Sequence, residues 1–436
     1  MMFTMFLSRS VARATFAIMF AVLLRTAVSS AAEVQISTVL VGNPGNAPDK
    51  VYAYNNPDGL AFGSVDYEYR IGTYEVTNAQ YVAFLNAKAK TSDPLLLYEP
   101  RMGSEVTGGI LRTGSEGNYT YTVKANMADK PVTYVNCYDA YRFINWMSNG
   151  QGNGDTETGS YTFSGTNKNA PYPFDPSTIV RNPGANWYLP NEDEWYKAAF
   201  YDPRTAAQGG PAGDEHYWYF PTRSDSLPTT ATANSVGNIA NPGANVANVA
   251  NYPSNTAGAN WNGSVDGNLT TVGSAGPLSA SYYGTYDQLG NAWEWDDTQF
   301  GETGRGLRGG GYISNAYNGG ADLRNVAKLA TGSYPWIGFR VGLAQIPGDA
   351  NSNGFVDGVD YIAWAEHFLL TGQTWASGDF SGDGKVDGAD YIAWSDHFRP
   401  VPSQAIAASA VPEPSSIILA GLAAVGVAVI GIRRRS

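Results

Sequence analysis

The sequence predicts an α+β protein in two unequal parts: a large, loop-rich mixed domain over residues 37–345 and a small all-helical pair over 348–399. Three observations carry that reading. Short amphipathic helices recur behind helix-capping residues, the stretches between them are rich in Gly, Asn, Pro and Ser, and a 30-residue repeat stands near the C-terminus. Composition agrees. Fifty glycines against 15% charged residues favour turns over long surface helices, while 43% apolar residues suffice for a sizeable core. A length of 436 residues accommodates two or three domains.

Each helix in the large part announces itself by its first turn. Thr77-Asn-Ala-Gln80 is a capping box followed by Tyr81, Phe84 and Leu85 on one face. Asn136-Cys-Tyr-Asp139 precedes Ala140, Phe143, Ile144 and Met147, and Asn191-Glu-Asp-Glu194 precedes Trp195, Ala198 and Ala199. The intervening chain, above all 229–276, reads as loop.

Several function classes drop out early. A net charge of -12 without a Lys/Arg cluster in the body of the chain argues against nucleic acid, which needs concentrated positive charge. Cys137 is the only cysteine, so no internal disulfide can form, and His216, His367 and His397 are the only histidines. There is no Gly-x-Ser-x-Gly elbow, phosphate loop or His-Glu-x-x-His. Glu192 and Glu194 fit the favourable charge of a helix start better than a glycosidase pair.

Both ends read as sorting elements. Arg9 and Arg13, the apolar run 14–24 and Ser30-Ala31-Ala32 form a secretory signal over 1–32, with an uncleaved anchor helix as the other reading. At the far end, a linker over 400–410 leads to Val411-Pro412-Glu413-Pro414, an apolar run 417–432 and Arg433-Arg434-Arg435. Sixteen helical residues reach about 24 Å, short of a bilayer core of about 30 Å, and arginines can snorkel across the difference. Residues 411–436 resemble a PEP-CTERM sorting signal, which implies an exosortase-type membrane protease as partner; a plain membrane anchor is the other reading. Either places the body of the protein outside the cytoplasmic membrane.

The repeat carries metal chemistry. Asp349, Asn351, Asn353, Asp357 and Asp360 recur as Asp379, Ser381, Asp383, Asp387 and Asp390, with Gly354 and Gly384 at the sharp turn. Oxygen side chains at loop positions 1, 3, 5, 9 and 12, with the carbonyls of Phe355 and Lys385 at position 7, are the spacing that Ca²⁺ requires. Each loop opens a short helix (361–368 and 391–398), and no helix-length segment enters either loop. A paired EF-hand would need entering helices, so the region resembles a dockerin domain, which implies a cohesin-like partner or docking on the chain's own large domain. His367 and His397, equivalent in the two repeats, read as helix-face packing.

Six segments stand in a telling order: Gly72-Thr-Tyr-Glu75-Val76-Thr-Asn78; Pro131-Val132 with Asp139-Ala140 and Asn145-Trp146; Leu189-Pro190-Asn-Glu192-Asp-Glu194-Trp195; Asp287-Gln-Leu-Gly290-Asn291-Ala292-Trp293-Glu294-Trp295; Leu307-Arg308-Gly309-Gly310; and Gly338-Phe339-Arg340. They resemble the formylglycine-generating-enzyme (sulfatase-modifying factor) family, whose fold is a C-type-lectin variant. The resemblance implies Ca²⁺ held by Asp287 and Glu294 with the carbonyls of Gly290 and Ala292, and a second site near Asn251 and Asp266. A turn residue and a buried hydrogen-bonding carboxylate are the competing reading of Asp287 and Glu294.

Catalysis does not carry over. The family's two copper-binding cysteine positions fall on Ser314 and on Gly319 or Gly320, and Cu(I) needs soft thiolates that a hydroxyl cannot replace. Related iron-dependent members need several histidines, and this domain has only His216. No copper or iron site is therefore expected. The favoured reading is a non-catalytic binding module at the cell surface, with Tyr217, Trp218, Tyr219 and Trp261 as a carbohydrate or peptide surface or, equally, as core. The competing reading is a formylglycine-generating oxidoreductase acting on a sulfatase cysteine through an unrecognised site.

Overall fold

The computed structural model describes residues 33–52, 61–163, 176–251, 253, 254, 256 and 258–399. The sorting elements over 1–32 and 411–436 and the linker from 400 lie outside these residues. Among the described residues no helix is long and apolar enough to cross a membrane.

Among the described residues twelve short strands form: β1 (Thr38–Val41), β2 (Tyr69–Gly72), β3 (Ile110–Thr113), β4 (Thr120–Val123), β5 (Trp187–Tyr188), β6 (Thr229–Thr230), β7 (Val246–Ala247), β8 (Trp293–Phe300), β9 (Gly304–Arg308), β10 (Asn325–Leu329), β11 (Ile337–Phe339) and β12 (Gly342–Ala344). They form two four-stranded sheets, ordered β1-β2-β12-β5 and β10-β9-β8-β11, with β3-β4 and β6-β7 as separate pairs. The first sheet is antiparallel, whereas β11 runs parallel to β8. Arg340 and Val341 lie between β11 and β12 and so join one sheet to the other.

The three expected helices form with their boxes intact: α1 (Asn78–Lys88), α2 (Cys137–Ser148) and α3 (Glu192–Phe200). Thr77 and Gln80, Asn136 and Asp139, and Asn191 and Glu194 each exchange side-chain bonds with the opposing backbone amide, and such a cap contributes about 1 kcal/mol. Helices α1 and α2 meet through aromatic rings: Phe84 stands edge-on to Phe143 at 5.5 Å and near Trp146 at 5.3 Å, and Phe143 continues to Phe339 of β11 at 5.6 Å. This cluster is the centre of the main core.

The C-terminal pair consists of α4 (Gly358–His367) and α5 (Gly388–Asp396), each beginning within the last residues of an acidic loop, three residues ahead of the expected start. The two halves clasp reciprocally. Trp364 donates from Nε1 to the Asp387 carbonyl and Trp394 to the Asp357 carbonyl, both at 2.9 Å. Tyr361 packs on Trp394 at 5.1 Å and Tyr391 on Trp364 at 5.2 Å. His367 and His397 each place Nδ1 at 2.8 Å from the carbonyl four residues back, on the helix face.

Candidate functional site

The chain connecting the two sheets builds a buried charged centre. Arg340 and Glu294 are both fully buried and joined by two bonds of 2.5 Å. Trp195 Nε1 adds a bond to Glu294 Oε2 at 2.7 Å, and Arg340 also donates to the carbonyls of Gly72 and Tyr286. Removing a full charge from water is tolerated here because every side of it is matched. Asp287 sits alongside with φ +60°, and its Oδ2 accepts from the Gly273 amide at 2.6 Å. Burial and the neighbouring Glu294 charge push its carboxyl up to about 6, against the pull of that amide and of Arg340.

Glu75, which the sequence shows only as part of the Gly72–Asn78 segment, completes this centre. It is 1% exposed; Oε1 accepts from Asn291 Nδ2 at 3.1 Å, and Oε2 has no hydrogen-bond partner. Burial, then the Asp287 and Glu294 charges, hold its carboxyl well above the usual range. An acidic residue flanked by Tyr74 and Val76 was the available signal of a buried carboxylate.

The region expected to carry cysteines is differently committed. Ser314 Oγ accepts from Trp293 Nε1 at 3.0 Å and from the Gly311 amide at 3.2 Å, and its carbonyl accepts from the Ala250 amide at 2.8 Å. A side chain at Gly319 would place its Cβ on the Gly309 carbonyl oxygen, and one at Gly320 would lie 2.8 Å from the Tyr219 ring. Cys137 begins α2, fully buried, and burial pushes its thiol up to about 12. A thiol held in that range is not a nucleophile near neutral pH.

Beside Ser314 opens a cleft of about 750 Å³ lined by Tyr134, Tyr312, Ile313 and Trp336, with Glu105 and Asp266 among its polar residues. Tyr334 stacks on Trp336 at 5.8 Å, and Tyr134 is held at φ +62° with its hydroxyl 2.9 Å from Thr107. Its walls come from residues around 105, 134, 312 and 335 and from 250, 256 and 263–267, too far apart in sequence for any one window to show it.

The family model of the sulfatase-modifying factor enzyme 1-like domain matches residues 63–344, well over half of the chain. The chain belongs to this family. A second match covers residues 410–435 with the PEP-CTERM protein-sorting motif, which indicates an exported, surface-anchored protein and implies processing by an exosortase. No curated protein matches the chain. Among solved structures, this sulfatase-modifying-factor-like protein is similar to CarF at 20% identity, with 71% of this chain and 98% of that one covered and a TM-score of 0.46. It is also similar to variable protein 1 of Treponema denticola (18% identity, 72% and 97% covered, TM-score 0.40) and to PvdO of Pseudomonas aeruginosa (18%, 71% and 92%, TM-score 0.35).

Of the two readings of the loop aromatics in the sulfatase-modifying-factor-like domain, ligand surface or core, burial favours core for two of them. Tyr217 and Trp261 do not form a ligand surface: they are 4% and 6% exposed. Tyr217 packs on Tyr196 and donates to the Ala47 carbonyl, while Trp261 donates to the Leu269 carbonyl beneath the Lys130 ammonium. Large aromatics in a Gly-rich loop here serve as the anchors that hold the loop down. Trp218 and Tyr219 are half-buried and tied to Asp202 and Asp322. Asn251 and Asp266 are exposed, on the loops bordering the cleft.

Fit to calcium differs between the two regions. Among the described residues no group of three or more His, Cys, Asp or Glu side chains is gathered to hold a metal ion, so any calcium site must draw on amide, hydroxyl and backbone oxygens as well. In the large domain the expected donors do not fit well, because Arg340 already neutralises Glu294. Gly290 lies at a close approach to Asn248, and Ala292 is buried in a small cluster with Trp261 and Tyr312.

The two acidic loops fit better. Asp349 accepts from the Asn353 and Gly354 amides, Asn353 Oδ1 from the Phe355 amide, and Asp360 from the Ala350, Asn351 and Asp357 amides. Asp379 and Asp390 repeat this, with the Gly382 and Gly384 amides on Asp379 and the Ser381 and Asp387 amides on Asp390. Asp383 accepts from the Lys385 amide. Burial, with Asp360 repelling, pushes Asp349 up to about 7, and burial raises Asp360 as well. A hard cation is the natural counter-charge for such an oxygen set.

Proposed function

We propose that this protein is a non-catalytic binding module displayed outside the cell, with two Ca²⁺ ions structuring its C-terminal pair. The observation that carries this reading is the state of the family's cysteine positions. Ser314 spends its hydroxyl on Trp293 and Gly311, and Gly319 has no room for a side chain. Neither residue offers a soft ligand for copper, and Cys137 is sealed in the core.

The aromatic cleft is the proposed recognition site. The half-buried Trp336 and the exposed Ile313, over a floor of buried Tyr134 and Tyr312, suit sugar rings or peptide side chains, and Glu105 and Asp266 can accept from hydroxyl or amide donors. Calcium would be held by Asp349, Asn351, Asn353, Asp357, Asp360 and the Phe355 carbonyl in the first loop. The second would use Asp379, Ser381, Asp383, Asp387, Asp390 and the Lys385 carbonyl. The dockerin-like pair would then offer a cohesin-like partner its outer face, where Val359, Ile362 and Ile392 are exposed.

Glycan and peptide arrays probed with the exported chain test the cleft. Binding should weaken about fivefold or more in Trp336→Ala, the loss typical of an aromatic anchor. Signals indistinguishable between the two proteins on every ligand would remove the cleft from the account.

A further inference from the structure

The two acidic loops are near-duplicates in sequence but not in surroundings, and the difference lies at loop positions 5 and 6. In the second loop the position 6 carbonyl, Gly384, is satisfied within the pair: it accepts from the Gly372 amide at 2.7 Å and from Gln373 at 3.2 Å. In the first loop the equivalent carbonyl, Gly354, accepts instead from Asn186 Nδ2 of the large domain at 2.6 Å. The position 5 carbonyl, Asn353, accepts from Trp187 Nε1 at 3.1 Å.

Both donors stand at β5, the edge of the first sheet, and Asn186 is itself fixed there because its carbonyl accepts from the Ala344 amide at 2.8 Å. Contact is close: a Cβ at Gly354 would lie 2.7 Å from Trp187 Nε1 and 3.2 Å from Leu343. A Cβ at Gly384 would meet nothing within 4 Å. Asn351, Asn353 and Phe355 also wall a small cavity with Trp187, Met147 and Gln151.

We propose that the first loop is a calcium-linked latch, so that filling it and seating the pair on the large domain are one coupled equilibrium. The second loop binds its ion independently. This rests on the calcium reading given above. The coupling is geometric: the two large-domain bonds hold the backbone of positions 5 and 6, between the Asn353 side chain and the Phe355 carbonyl that would face the ion. A backbone held in the binding conformation saves the ion the work of ordering it, and linkage requires the ion to strengthen the docking by the same factor.

Calorimetry on the full exported chain, titrated with calcium alone after chelator treatment, tests this. Asp379→Ala leaves the first loop to be read, and Asp349→Ala the second. Adding Asn186→Ala, or Trp187→Phe, which keeps a buried ring and deletes only the N–H donor, should weaken the first loop about fivefold to tenfold. That is the range of one lost hydrogen bond. The second loop should not change. Proteolysis between residues 345 and 348 should accelerate on chelation in Asp379→Ala and be already fast in the Asn186 variant with calcium present. Calcium bound by both loops, with first-loop affinity the same in both variants, overturns the latch alone. No binding by either loop overturns the calcium reading, and the latch falls with it.

Discussion

The large domain and the C-terminal pair both bury carboxylates, but they balance the charge by different means. In the large domain the partners are built in. Glu294 has Arg340, Glu192 has Arg308 and Arg324, and Glu194 has Arg181, all within 2.5–2.7 Å. In the pair, Asp349, Asp360, Asp379 and Asp390 are also buried, yet among the described residues they accept only from neutral donors, nearly all of them backbone amides. An amide dipole offsets part of a carboxylate's desolvation but adds no opposite charge. The named carboxylates of the first region are paired with arginines inside the fold, whereas those of the second meet mainly dipoles and are the ones to which the proposed calcium would bring an opposite charge.

The largest effect should come from opening the internal salt. Arg340→Ala leaves Glu294 buried and unpaired and should cost about 3–5 kcal/mol in urea unfolding, with or without calcium. If calcium restored that loss, Glu294 would be a metal ligand after all and the contrast would break. Next, saturating calcium should stabilise the pair by about 2.7 kcal/mol per site at a hundredfold excess over Kd, and Asp349→Ala or Asp379→Ala should each remove one such increment. Differential scanning calorimetry with and without chelator reads both.

Glycine substitutions sharpen the comparison within the pair. Gly354 and Gly384 both sit in the left-handed region, at φ +86° and +82°, so alanine at either should cost about 1 kcal/mol. Gly354→Ala should cost clearly more because of Trp187, and equal losses would mean the first loop is not seated there. The last prediction is a pH trend. Burial, then the Glu192 charge, pushes Asp296 up to about 8. A carboxyl raised in the folded state contributes stability that is fully present below the unfolded value near 3.8 and is lost as pH rises through about 8. The stability of the native chain relative to Asp296→Asn should therefore fall between pH 4 and 9, and a rising difference would refute the assignment.

What the sequence made legible follows from distance along the chain. The three capping boxes and the two acidic loops are local patterns, four to twelve residues long; the boxes form where the side-chain spacing says they should, and a short helix begins at the end of each loop. The ordered segments likewise pointed to the family that the match over 63–344 establishes. The Glu294–Arg340 pair joins residues 46 apart, and the cleft draws on several separate segments, so neither left a mark in any one window. For Tyr217 and Trp261 the sequence left surface and core equally open for the same reason. A loop aromatic is surface or core according to what folds over it, and here the regions around Ala47 and Leu269 do.

Mass spectrometry of a Cys-x-Pro-x-Arg peptide, incubated under oxygen with the copper-loaded exported chain beside an active family member, tests the central claim most directly. The account predicts an unmodified peptide, because Ser314 and Gly319 supply no thiolate and Cys137 is sealed in the core. Conversion of the peptide cysteine to an aldehyde would contradict it and require a catalytic centre elsewhere in the chain.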